Sequence, residues 1–181
     1  MGYRVSKVYT RTGDYGTTVV SGGARLPKND ALIEAMGVID ELNAHIGKLR
    51  QITEDQVVLL RDIQQHLFDV GAELSMSYST PDYRAVSPHH VQMLEHAIDA
   101  INSVLPPLKE FVLPYGDART VEAHVARAVA RRAERRLSMY AQALPTSLAY
   151  LNRLSDYLFV LARSFSTWGE EQWNNVKRAS K

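Results

Sequence analysis

The 181-residue chain contains no cysteine, so neither disulfides nor thiolate chemistry can serve its fold or its reactions. Its net charge is only +1, too little for the broad field that draws a protein to nucleic acid or to an anionic membrane. No apolar stretch is long enough to span a bilayer. The opening residues Met1-Gly-Tyr-Arg-Val-Ser-Lys7 lack the apolar run of a secretion signal. The expected location is the cytoplasm, with no membrane and no nucleic-acid partner. Strand-period alternation is scarce outside Tyr3–Tyr9, and neither repeats nor low-complexity segments occur. His45, His66, His89, His90, His96 and His124 show no zinc-ligand spacing, and no Ser-His-Asp arrangement is readable. What is there is an ordinary globular composition, 45% apolar and 23% charged, long enough for one sizeable core.

Helical periodicity dominates. Lys28-Asn-Asp30 reads as a helix start, followed by Leu32, Met36, Ile39, Leu42, Ile46 and Leu49 at steps of three and four. Thr53-Glu-Asp-Gln56 has the form of a capping box ahead of Val57, Leu60, Ile63, Leu67, Val70 and Leu74. A polar loop spans 78–87, and Ser87-Pro88 opens a third helix that Pro106-Pro107 ends. An apolar connector, Phe111-Val-Leu-Pro-Tyr-Gly116, precedes a fourth helix from about Ala118 to Ala141. Pro145-Thr146 opens a fifth, with Leu151, Leu154, Leu158, Leu161, Phe165 and Trp168 as its seam, Gly169 as its stop and a frayed polar tail from Glu170. The expected fold is all-α, a bundle of about five helices.

Two segments could carry chemistry. Thr10-Arg-Thr-Gly-Asp-Tyr-Gly-Thr-Thr18 packs two glycines, four threonine hydroxyls and an arginine into nine residues. Glycines permit positive φ, so successive N–H groups can converge on an anion, and the hydroxyls and Arg11 add donors. It is not a Walker A loop, because no Gly-Lys-Ser/Thr follows at the required spacing. Arg127, Arg131, Arg132, Arg135 and Arg136 crowd the fourth helix, offset there only by Glu122 and Glu134. A solvated basic face is the bland explanation. Guanidinium forks nonetheless match phosphate oxygens in a way that lysine cannot, and so much like charge wants a polyanion. Asp40, beside Ile39 in the first helix, is expected to be partly buried and paired. Asn152 and Asp156 fit structural hydrogen bonding as well as they fit ligand binding. No nucleophile and no general base stands out.

In this order and spacing the motifs resemble the PduO-type ATP:cob(I)alamin adenosyltransferases. The resemblance rests on the Thr10–Thr18 loop, Lys28-Asn-Asp30, Ile39-Asp-Glu-Leu-Asn43 and Leu67-Phe-Asp-Val-Gly-Ala-Glu-Leu74. It continues through Phe111-Val-Leu-Pro, Ala126-Arg127, Arg131-Arg-Ala-Glu-Arg135 and Tyr150-Leu-Asn-Arg-Leu-Ser-Asp-Tyr157. It implies one domain over residues 1–181: a nucleotide-binding segment over 1–29, a ferritin-like up-and-down bundle over 30–169 and a polar tail over 170–181. It also implies a homotrimer with active sites between subunits. There the 5′-deoxyadenosyl group of ATP passes to cob(I)alamin, forming adenosylcobalamin and releasing triphosphate. Co(I) of the substrate would be the attacking group, which accounts for the missing nucleophile.

By the same resemblance, Thr10, Arg11, Thr12, Gly13, Asp14, Gly16, Thr17, Thr18 and Lys28 of one subunit would hold ATP. Arg131, Arg132, Glu134, Arg135 and Asn152 of its neighbour would complete that site, with Mg2+ bound through the phosphates and no protein metal ligand. Arg127, Asp40, Arg131 and Phe111 would carry the reaction, Arg127 pairing with Asp40 of the adjacent subunit. Phe111 would crowd the lower face of the corrin and exclude an axial ligand. Phe111 and Tyr115 would bound the cobalamin. A cobalamin reductase and an adenosylcobalamin-dependent acceptor enzyme are implied partners. Three positions depart from the family pattern: Tyr15 for lysine or aspartate, Tyr115 for a glycine and Ala128 for threonine. Tyr115 keeps open a non-catalytic carrier or sensor of nucleotide or adenosylcobalamin.

Overall fold

The computed structural model describes residues 7–77, 79–166 and 169–173. Trp168, residues 3–6 of the Tyr3–Tyr9 pattern and residues 174–181 of the tail lie outside the described residues. The main elements are α1 (Ala31–Ile52), α2 (Val57–Met76), α3 (Pro88–Asn102), α4 (Ala118–Leu137) and α5 (Pro145–Phe165). α1 packs between α2 and α4, and α5 packs between α4 and α3. The apolar positions read from the sequence face one core: Leu32, Leu42, Ile46, Leu60, Leu67 and Leu154 are fully buried, while Met36 is only partly so. No helix among the described residues is long and apolar enough to cross a membrane.

Side chains at the helix starts set the boundaries. Asp30 Oδ1 accepts from the Leu32 N–H at 2.9 Å, and Asp117 Oδ1 accepts from the Thr120 N–H at 2.9 Å. The Ser87 N–H donates to His90 Nδ1 at 3.1 Å, with Pro88 in the first turn of α3. The capping box read at Thr53–Gln56 does not form. Thr53 Oγ1 instead donates back to the Leu49 carbonyl at 2.8 Å and closes α1, while Gln56 Oε1 accepts from the buried Tyr157 hydroxyl at 3.1 Å.

Three further expectations need correction. α4 stops at Leu137 and a 3-10 turn covers Ser138–Tyr140, so the helix is shorter than its charge pattern suggests. A small antiparallel hairpin, β1 (Thr17–Val19) with β2 (Arg25–Pro27), follows the glycine-threonine loop. Its strands are too short to show a period of two. α5 ends at Phe165, four residues before Gly169, and the described start of the tail, residues 170–173, is held in place. Residues 169–173 lie against the connector: the Leu113 N–H donates to the Glu171 carbonyl and the Trp173 N–H to the Phe111 carbonyl, each at 2.8 Å.

One buried carboxylate ties α4 to α1. Glu122 accepts from Lys48 at 2.5 Å and lies 2.6 Å from His45 Nδ1. Burial alone would raise its pKa, but the hydrogen bonds and charges of Lys48 and His45 outweigh that and hold it below the ordinary 4.5. A depressed carboxylate contributes stability above its unfolded pKa and loses it as pH falls through the folded value. Glu122→Gln is therefore expected to cost about 1–2 kcal/mol at neutral pH. The melting-temperature gap from the parent should narrow as pH falls below the ordinary carboxylate value and through the depressed folded one. A gap that persists undiminished in acid would contradict the assignment.

Candidate functional site

The N-terminal loop is shaped by its own polar groups. Arg25 donates to the Thr12 carbonyl at 3.0 Å and to Thr17 Oγ1 at 2.9 Å, tying the loop to the hairpin. Thr10 and Thr12 hydroxyls lie 2.9 Å apart. Of the loop's two glycines only Gly16 has positive φ, at 79°; the other left-handed residue is Arg11, at 60°. Gly13 is needed for a different reason: a Cβ there would sit 3.1 Å from the Thr17 carbonyl oxygen and 3.3 Å from the Lys28 ammonium. The bare glycine thus lets Lys28 fold over the loop, where the Lys28 N–H donates to the Gly16 carbonyl at 2.8 Å. Thr10, Arg11, Thr12, Asp14, Tyr15 and Lys28 stay exposed, so the loop presents donors to solvent.

The arginines of α4 sort into two sets. Arg132 pairs with Glu41 and Arg136 lies 3.7 Å from Glu34, so carboxylates of α1 neutralise two of them. Arg132 therefore does not line the cavity that Arg131 enters. Arg131 and Arg135 pair with no carboxylate among the described residues. They line a cavity of about 300 Å³ with Glu134, Ser138, Leu148 and Asn152. Asn152 Nδ2 donates to Glu134 Oε1 and Arg153 donates to Asn152 Oδ1, both at 2.8 Å, which occupies the one carboxylate there with an amide. The remaining field is positive and bears forked donors, as a polyphosphate requires.

Arg127 and Phe111 meet in a second cleft, of about 460 Å³, with Leu108, Val112, His124 and Phe159. Phe111 is 75% exposed, far outside the core that a mere packing residue would join. The Arg127 guanidinium lies 5.9 Å from the Phe159 ring centroid, and its Nε is buried with no hydrogen-bond partner among the described residues. Burial, then the neighbouring Arg131 cation, lowers the Arg127 pKa from its ordinary value, though a guanidinium stays charged. Burial and the Arg127 cation likewise hold His124 below its ordinary value, so it is neutral at pH 7. Tyr115 is not among the residues lining this cleft; it is exposed, and its N–H turns back to the Leu113 carbonyl.

Asp40 is elsewhere and is not partly buried within the chain. It is exposed and borders a long groove of about 1030 Å³ between α1 and α2, beside Met36, Phe68 and Ala72. It sits at a helix midpoint and meets no cation among the described residues. No hydrogen bond or ion pair among the described residues joins the loop to Arg131 or Arg135, or Asp40 to Arg127.

The family profile described as "Cobalamin adenosyltransferase" matches residues 8–165. A cobalamin adenosyltransferase of Cupriavidus metallidurans is 45% identical over 175 residues, covering 93% of each chain. The corrinoid adenosyltransferase of Bacillus subtilis is 42% identical, over 87% of this chain and 85% of that one. The chain belongs to the cobalamin adenosyltransferase family. A phenylalanine-to-alanine variant of a PduO-type ATP:corrinoid adenosyltransferase from Lactobacillus reuteri has been solved with cobalamin and ATP. It superposes with a TM-score of 0.85 at 32% identity, over 93% of this chain and all of that one. An arginine-to-lysine variant solved with ATP superposes with a TM-score of 0.83 at 33% identity, over 92% of this chain.

In this adenosyltransferase-family chain, several site features escape a reading by motif. Phe159 lies on α5, and only packing of α5 against α4 brings it beside Arg127 and His124. His124 does sit one helical turn before Arg127, a usable signal. Glu34 and Glu41, which neutralise Arg136 and Arg132, are a hundred residues away in sequence and give none.

Proposed function

We propose that this protein transfers the 5′-deoxyadenosyl group of ATP to a Co(I) corrinoid, at sites formed between neighbouring copies of a homotrimer. The observation that carries this is the cavity where Arg131 and Arg135 have no carboxylate partner among the described residues, within a chain of this family. The cobalamin and ATP bound by the Lactobacillus reuteri relative support both substrates. The Co(I) electron pair forms the Co–C5′ bond, the C5′–O bond breaks, and triphosphate leaves with that bonding pair. Arg131 and Arg135 of one copy, with Asn152 oriented against Glu134, would balance the charge gathering on the triphosphate. The donors of residues 10–18 and Lys28 of the next copy would close over it, residues 1–29 serving as the nucleotide segment. Mg2+ would arrive on the phosphates and add charge compensation there.

Arg127 would meet Asp40 of the adjacent copy. That pairing would satisfy a guanidinium whose Nε finds no acceptor among the described residues. Phe111, projecting from the connector over the same cleft, would crowd the corrin and keep water from the cobalt. The reaction would run in the cytoplasm, where a reductase would supply electrons and an adenosylcobalamin-dependent enzyme would take the product.

Incubation with ATP, Mg2+ and chemically reduced cobalamin tests the reading. The expected result is conversion to the adenosylcobalamin spectrum with equimolar triphosphate. Tight ATP binding with no Co–C bond formed would instead indicate a carrier or sensor. Phe111→Ala separates the steps further. The reaction coupled to reduction of Co(II) should fall at least about tenfold more than the reaction with preformed Co(I), a difference of about 1.4 kcal/mol in barrier. Equal losses in the two assays would count against a role at the corrin face.

A further inference from the structure

Arg163 is among the most enclosed charged side chains of the fold, with only 4% of its side chain accessible, and no step described above uses it. It lies in the last turn of α5 and grips two separate segments. Its Nε is 2.5 Å from Glu170 Oε1 and its Nη2 3.2 Å from Glu170 Oε2, a forked pair. The same Nη2 donates to the Pro106 carbonyl at 2.6 Å. Pro106 lies five residues before Phe111, on the stretch that leads into the connector. Glu170 begins the short segment that runs back along that connector.

The two segments then zip together. Val112 and Gln172 form an antiparallel bridge, the Leu113 N–H donates to the Glu171 carbonyl, and the Trp173 N–H donates to the Phe111 carbonyl at 2.8 Å. The Trp173 and Phe111 rings approach to 6.2 Å between centroids. The backbone carbonyl of Phe111 is thus held by Trp173, and both ends of the arrangement are anchored on one guanidinium.

Burying an ion pair rarely adds net stability, because desolvation offsets most of the attraction; its recurrent use is to fix one arrangement among several. Phe111 needs that fixing. It is exposed on a non-helical stretch, and no core contact sets its direction. We propose that Arg163 is a positioning residue for adenosyl transfer: through Pro106 and Glu170 it clasps segment 169–173 to the connector and so aims Phe111 into the cleft beside Arg127. This rests on the reading of Phe111 as the residue that faces the corrin.

The test compares Co(II)-coupled turnover with turnover of preformed Co(I), as a ratio, in four variants: Arg163→Met, Trp173→Pro, Phe111→Ala and the Phe111→Ala/Trp173→Pro double. Trp173→Pro removes the N–H that holds the Phe111 carbonyl and an exposed ring, outside the helical core, so it keeps the question answerable if Arg163→Met fails to fold. A misplaced Phe111 should lower the ratio roughly tenfold to a hundredfold in Trp173→Pro, and in Arg163→Met where it folds. The double should be no lower than Phe111→Ala alone, because both changes act through one ring. If Phe111→Ala lowers the ratio and Trp173→Pro or a folded Arg163→Met does not, or if the double loses the product of both factors, the positioning role is overturned while the corrin-facing role of Phe111 stands. If Phe111→Ala itself leaves the ratio unchanged, both fall together.

Discussion

Arg131→Ala is expected to lower kcat/KM for ATP by about a hundredfold to a thousandfold, the loss typical of removing one donor to a developing anion. The bundle should remain folded. Arg131 is exposed, lies on the outer stripe of α4 and pairs with no carboxylate among the described residues, so its removal strands nothing. In a purely structural role a free cation beside Arg127 and Arg135 would only repel them, and alanine would be neutral or mildly stabilising. Arg131→Lys keeps the charge but not the fork, and should recover only part of the activity. Steady-state kinetics beside a thermal melt decide the matter. An unchanged rate in a folded variant would refute the triphosphate role.

The largest loss of stability is expected at Glu73, in α2. It is 2% exposed, and its Oε1 accepts from the Ala85 N–H at 2.6 Å and the Val86 N–H at 2.8 Å, while Oε2 accepts from the Ser147 hydroxyl. One carboxylate thus secures the loop before α3 and the start of α5. Glu73→Ala leaves two backbone donors without an acceptor, at about 1–3 kcal/mol each. For a chain of this length that lowers the melting temperature by roughly 5–15 °C. Glu73→Gln retains one acceptor oxygen and should lose distinctly less. Equal melting temperatures for the alanine variant and the parent would show that the loop finds other acceptors.

How far the molecule can be read from its sequence depends on the range of the interactions involved. The five helices and their starts were legible because each rests on local chemistry: Asp30, Ser87-Pro88 and Asp117 act within three residues of themselves. Thr53 misled because its hydroxyl can either accept from the N–H groups of the next helix or donate to a carbonyl behind it, and the carbonyl of Leu49 won. The hairpin was invisible because three residues per strand leave no period to detect. The clasp of residues 169–173 depends on Arg163, whose charge gives no hint that it will be buried against Pro106.

The candidate site divides in the same way. That Arg131 and Arg132 face different ways follows from 100° per residue, so their separate fates were foreseeable in kind. That Arg132 meets Glu41 was not, since helix packing decides it. Asp40 was expected to be partly buried beside Ile39 yet is exposed, because Ile39 faces the core and the next residue turns away from it. The exposure of Asp40, and the lack of any bond between the loop and Arg131 among the described residues, are what the proposed site between two copies requires.

Subunit complementation tests that arrangement most directly. Lys28→Ala damages only the loop and Arg131→Ala only the guanidinium cavity, and each alone should be nearly inactive. Co-expressed with different tags and purified as mixed assemblies, they should regain activity, because a loop from one chain meets intact arginines from the other. With random mixing in a closed ring about a quarter of the sites are whole, so about a quarter of parental activity is the predicted yield. Mixed assemblies no more active than the two variants measured separately would contradict a site shared between copies.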